Sequence, residues 1–102
     1  MKNLKPMHSP PHPGELIKDV YMKESQVSLR RLADRLGVTP STLQRLLSGQ
    51  NRVSPEMAIR LSFVLGRSAE SWMAMQSAYD LWKAREGVTL SDLTPLNRKI
   101  AP

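Results

Sequence analysis

Prolines and glycines divide this chain into helices before any hydrophobic pattern is read. Pro13, Pro40 and Pro55 each stand where a helix can begin, because its first turn makes no use of the missing N–H and proline's fixed φ suits it. Gly37, Gly49, Gly66 and Gly87 each stand where an apolar period stops. Ser28, Thr39, Ser54 and Ser68 are suited to cap the helices that follow them. Between these marks apolar residues recur three and four apart: Leu16, Ile17, Val20 and Tyr21 through about Lys23, then Leu29, Leu32, Ala33 and Leu36, then Leu43, Leu46 and Leu47. No segment alternates as a strand would. The expectation is an all-α domain of five helices with short connections.

The 102 residues are enough for one domain. Aromatic residues make up only 5% of the chain, whereas Leu, Ala and Met are abundant, so helix packs on helix. Residues 1–11, rich in proline and without helical period, are expected to be a flexible arm. Residues 12–87 form the folded domain. Residues 88–102 are a tail in which Leu90, Leu93 and Leu96 stand among polar residues and Pro95; a short turn, an extended segment docked on the bundle and a disordered end all fit.

Several chemistries are excluded. The chain has no cysteine, hence no disulfide, thiolate zinc site or cysteine nucleophile. His8 and His12 have a metal-like spacing, but Ser9-Pro10-Pro11 between them forbids the helix that would bring them together, so no metal is expected. There is neither a phosphate-cradling glycine loop nor a nucleophile elbow. Asp34, Glu56, Glu70 and Asp80 stand singly, as helix-end or surface charges rather than a catalytic pair. No enzyme and no cofactor are expected. Without a signal peptide or a long apolar run, the chain should leave membranes alone and reside in the cytoplasm.

Charge points to a partner. The formal net charge is +6, and most of it is central: residues 28–67 hold seven arginines against Asp34 and Glu56, with no acid between Arg35 and Pro55. Such a surface attracts phosphate polymers. Within it, 28–49 read as two short helices joined by a tight turn. With Leu43 at zero on a helical wheel, Leu46 and Leu47 fall at about 300° and 40°, a buried stripe, while Ser48, Ser41 and Arg45 fall at about 140°, 160° and 200°. Thr42 and Gln44 flank them. Arg can donate two hydrogen bonds to guanine, Gln can pair with adenine, and the hydroxyls can reach bases or phosphates. Ser41, Thr42, Gln44 and Arg45 are therefore expected to read bases. Ser28 and Leu29 at the preceding helix start, Ser48 and Arg52 are expected to hold phosphates and set register.

Residues 27–65 resemble the helix-turn-helix of the Cro and phage-repressor (XRE) family, through Leu32-Ala33, the turn Leu36-Gly37-Val38-Thr39, Leu43, Gly49 and Pro55, Ala58, Leu61 and Leu65. Within that family the chain resembles HigA antitoxins, through His12-Pro13-Gly14-Glu15, the run from Glu56 to Leu61 and the run from Ser68 to Leu81. The resemblance spans about residues 12–86. It implies a Cro-like five-helix domain, and a dimeric repressor of its own operon that also neutralises a HigB-like toxin, a ribonuclease of the RelE type. It also implies base contacts from Thr39 together with Ser41, Thr42, Gln44 and Arg45, and a phosphate contact from Arg52. The His12–Glu15 signature suggests no chemistry of its own beyond starting a helix.

The last helix is apolar over a wide arc. With Trp72 at zero, Leu81, Ala74, Ala78, Trp82, Met75 and Tyr79 cover about 180° to 340°, more than the roughly 100° stripe that one core requires. Met75, Ala78, Tyr79, Leu81 and Trp82 are therefore expected to meet a second copy, so that two reading helices address a palindromic operator about 34–36 Å apart. Two alternatives remain open: a solitary regulator without a toxin, and a helical adaptor that binds protein through this last helix.

Overall fold

The structure, a computed structural model, describes residues 9–96. Five helical segments follow one another, and no strand occurs among the described residues. The first, α1, covers residues 13–25 in three continuous pieces: α-helical Pro13–Leu16, π-helical Ile17–Met22 and α-helical Lys23–Ser25. Next come α2 (Leu29–Leu36), α3 (Pro40–Leu47), α4 (Pro55–Leu65) and α5 (Ala69–Gly87). The wide turns of α1 differ from the regular 3.6-residue period read in the sequence. They leave Ile17 fully buried and bring the Tyr21 ring within 5.9 Å of the Trp72 ring.

Local chemistry sets the boundaries. The hydroxyls of Ser28, Thr39, Ser54 and Ser68 accept hydrogen bonds from the N–H groups of Arg31, Thr42, Met57 and Ser71, each satisfying a donor that an open helix end leaves unpaired. Gly37 takes a left-handed conformation, φ +73°, and its N–H and that of Val38 return to carbonyls near the end of α2. That residue makes the bend between α2 and α3.

The core is a single cluster. Ile17, Leu32, Ala33, Leu36, Leu43, Leu46, Leu47, Val53, Ala58, Leu61 and Trp72 are all buried, so every helix contributes. Arg60 fastens α4 to the end of α2: its Nη1 donates to the carbonyl of Leu36 at 2.8 Å while Glu56 accepts from its Nη2 at 2.7 Å. Beyond α5, residues 88–96 run past the bundle with Val88, Leu90, Leu93 and Leu96 exposed.

Candidate nucleic-acid interface

The inward stripe of α3 is as its periodicity predicts. Leu43 and Leu46 are essentially inaccessible and Leu47 nearly so. The opposite flank is therefore open: Ser41, Gln44, Arg45 and Ser48 are exposed and Thr42 is half-buried. Arg45 is pre-oriented, since its Nη1 donates to the hydroxyl of Ser41 one turn earlier at 3.0 Å. Thr39 is partly committed: its hydroxyl accepts from the Thr42 N–H at 3.1 Å and bonds the Thr42 hydroxyl at 2.9 Å. Ser48 donates its hydroxyl to the Arg45 carbonyl at 3.2 Å. Ser28 is exposed at its cap, and Leu29 is half-buried against the core, so only its backbone is offered outward.

Arg52 has a partner that its sequence neighbourhood does not reveal. Its Nε donates to Oδ2 of Asp80 on α5 at 3.0 Å, and its Nη2 to the same oxygen. Asp80 is held in turn by Gln76, whose Nε2 donates to Oδ1 at 2.9 Å. The Gln76 carbonyl oxygen accepts from the Val53 N–H at 2.7 Å. Burial alone would push the Asp80 carboxyl up, but the hydrogen bonds from Arg52 and Gln76 and the nearby guanidinium outweigh it and hold it below the usual carboxylate range.

The loop that follows α3 is gripped from a second side. His12 is buried; its Nδ1 accepts from the Gly14 N–H at 2.9 Å, and its ring stands beside Gly49. Burial lowers the His12 pKa from its ordinary value, against the opposing effects of the nearby Asn51 backbone and of the Asp80 and Glu15 carboxylates. Beside it, Gly14 lies so close to α3 that a side-chain carbon there would be 2.9 Å from the Leu46 carbonyl carbon and from the Leu47 Cα. The His12–Glu15 signature thus joins α1 to the end of α3. His8 lies outside the described residues.

The five residues expected at a dimer contact divide into two sets. Met75 packs against the core, and Tyr79 stands against His12 and Trp82. Ala78 and Leu81 face outward, on the side that also carries Ala74 and Ser77. That side continues into a shallow apolar groove of about 600 Å3, lined by Pro55, Ala58, Ile59, Met73, Ala74 and Ser77. Ile59 is 63% and Phe63 91% exposed. Neither was among the expected contact residues. The signal was present: on the α4 wheel both lie about opposite Leu61, the inward residue.

The helix-turn-helix family profile matches residues 21–72, and the chain belongs to that family. Within it the chain stands among the HigA-type antitoxins. It is similar to the Pseudomonas aeruginosa antitoxin HigA solved with the higBA promoter, at 34% identity and a TM-score of 0.77 over 85% of this chain and 97% of that one. It is similar to the antitoxin GraA, at 34% identity and a TM-score of 0.79 over 90% and 99% of the two chains. In sequence it is 41% identical over 90 residues to the uncharacterized HTH-type transcriptional regulator YddM of Escherichia coli, covering 88% of this chain and 95% of that protein. No helix among the described residues is long and apolar enough to cross a membrane.

Proposed function

We propose that this chain is the DNA-binding antitoxin of a toxin–antitoxin pair, a homodimer that represses its own operon and neutralises a small RelE-type ribonuclease of the HigB kind. The observation that carries the DNA reading is the open flank of α3, where Ser41, Gln44 and Arg45 are exposed above three buried leucines. It is supported by the similarity to a HigA solved with its promoter. Arg45, Gln44, Ser41 and Thr42 read base edges, with Thr39 at the helix start. Ser28, the Leu29 backbone, Ser48 and Arg52 take phosphates and fix the register.

The proposed second copy covers the open side of α5 and the groove beside it. Ala78 and Leu81 of the expected set are exposed on that side of α5, Ile59 lines the groove, and Phe63 is exposed one turn from Ile59 on α4. A large exposed apolar residue such as Phe63, beside an apolar groove between two helices, is the kind of surface a second copy covers. Met75, Tyr79 and Trp82 support the helix from behind, against His12 and the core.

The test is co-expression with the adjacent reading frame, followed by copurification and a growth assay, and binding of the purified chain to its upstream promoter over a salt series. Rescue of growth, copurification and an affinity that falls steeply with salt are expected. Promoter binding without rescue or copurification would leave a solitary regulator. Copurification with no salt-sensitive promoter binding would leave a protein-binding adaptor.

A further inference from the structure

Two polar side chains, His12 and Gln76, are buried among the described residues. They come from opposite ends of the domain, and both lie against the same short loop: the His12 ring stands beside Gly49, and the Gln76 carbonyl oxygen takes the Val53 N–H. Arg52 lies between those two anchors. Because Gln76 must turn its oxygen to Val53, its amide nitrogen is left facing Asp80, and this sets the carboxylate that receives Arg52. A buried polar group costs stability unless it is fully bonded, so its benefit is a single fixed arrangement. Here the arrangement fixed is that of one guanidinium.

The ion pair is half-open to solvent, with the Arg52 side chain 62% and the Asp80 side chain 37% exposed. Arg52 gives Asp80 its Nε–H and an N–H of Nη2, so the rest of its fork can still donate to a phosphate. Its charge, however, is largely neutralised at close range. Binding to arbitrary DNA depends almost wholly on uncompensated positive charge, whereas operator binding adds fixed, directional contacts. A paired arginine keeps its direction and loses most of its field. We propose that Asp80 is a specificity-determining residue that acts through Arg52, suppressing attraction to non-operator DNA while keeping the guanidinium aimed for the operator phosphate. This rests on the reading of Arg52 as a phosphate contact.

The experiment measures the affinity of the full chain for its operator and for an unrelated duplex of equal length, across a salt series. The proteins are wild type, Asp80→Asn, Arg52→Ala and the double variant. Asparagine keeps an oxygen for Gln76 but puts a donor amide where Oδ2 took both Arg52 donors, so it removes the charge and releases the guanidinium together; a thermal melt checks that each variant is folded. Asp80→Asn should bind the unrelated duplex several-fold more tightly and steepen its salt dependence by about one unit of slope. Operator affinity should rise less, so that the ratio between the two duplexes falls at least threefold. In the double variant the extra non-operator affinity should disappear. The inference is overturned if Asp80→Asn leaves ratio and slope unchanged, if it weakens both duplexes equally, or if its gain persists without Arg52. If Arg52→Ala by itself changes neither operator affinity nor slope, the underlying reading of Arg52 has failed instead.

Discussion

The ring of His12 stands edge-on to the ring of Tyr79, with centroids 4.9 Å apart and planes at 85°. A residue in the cap of the first helix thereby touches the middle of the last. Removing it takes away the side-chain acceptor for the Gly14 N–H and this aromatic contact together. His12→Ala should cost about 2 kcal/mol of unfolding free energy, from a cap of about 1 and an aromatic contact of about 1. Denaturant unfolding monitored by circular dichroism measures it.

The same histidine gives stability a pH dependence of definite sign. Its folded pKa lies below 6.5 because it is buried, although Asn51, Asp80 and Glu15 favour the charged ring. Below pH 6.5 the unfolded chain takes up a proton that the native chain resists, so stability falls as pH drops from 6.5 toward the folded value. Asp80 adds loss in the same direction at lower pH, below 3.8, as its depressed carboxyl is protonated. Melting temperatures from pH 8 to about pH 5 should decline more for wild type than for His12→Asn, which can still cap α1 but does not titrate. Parallel declines would remove His12 from the account.

Gly14→Ala should be severe. The added methyl meets the backbone of Leu46 and Leu47, which cannot swing aside as a side-chain tip could. Either α1 moves off α3 or α3 itself shifts. A loss of about 2–4 kcal/mol, the usual range for forced overpacking and backbone displacement, should accompany weakened operator binding. Unfolding and anisotropy titrations on the same preparation would show both.

Arg45→Ala should cost about 1–3 kcal/mol of operator binding and relax sequence preference at the base pair it contacts, because an exposed arginine braced by Ser41 is lost. A binding-site selection with the variant should return a degenerate position. An unchanged consensus and affinity would take Arg45 out of base reading.

Phe63→Glu should leave the fold intact and weaken self-association. The side chain is 91% exposed, so the monomer loses almost no packing. If it is buried between copies, exchanging it for a charge removes about 1.5–3 kcal/mol of apolar burial, a tenfold or greater rise in the dimer dissociation constant. Sedimentation or light scattering over a dilution series, beside a melting curve, separates the two effects.

The helices themselves were legible because their signals are local. A hydroxyl three residues before the N–H it caps, a proline in the first turn, a glycine at the bend and leucines at helical spacing act within one or two turns of chain. They locate α2 to α5 closely, and they turn Leu43, Leu46 and Leu47 inward, which leaves the flank of Ser41, Gln44 and Arg45 open. Gln76 could have been suspected, since it sits one turn from buried Trp72 on a face that should be apolar.

What the tertiary structure decided are contacts between residues far apart in the chain, and these have no periodic signature. Arg52 looks like an unengaged loop cation until α5 brings Asp80 to it across 28 positions. The His12–Glu15 signature looks like a helix start until packing presses Gly14 on Leu46 and His12 on Tyr79. Ile59 and Phe63 differ from these: their outward side was readable on the α4 wheel opposite Leu61, and only the groove they border beside α5 needed the packed helices. Caps and period fix where each helix lies along the chain; which groups meet across the core depends on how the helices close on one another, and that is settled by shape and by the bonding needs of the few polar groups enclosed between them.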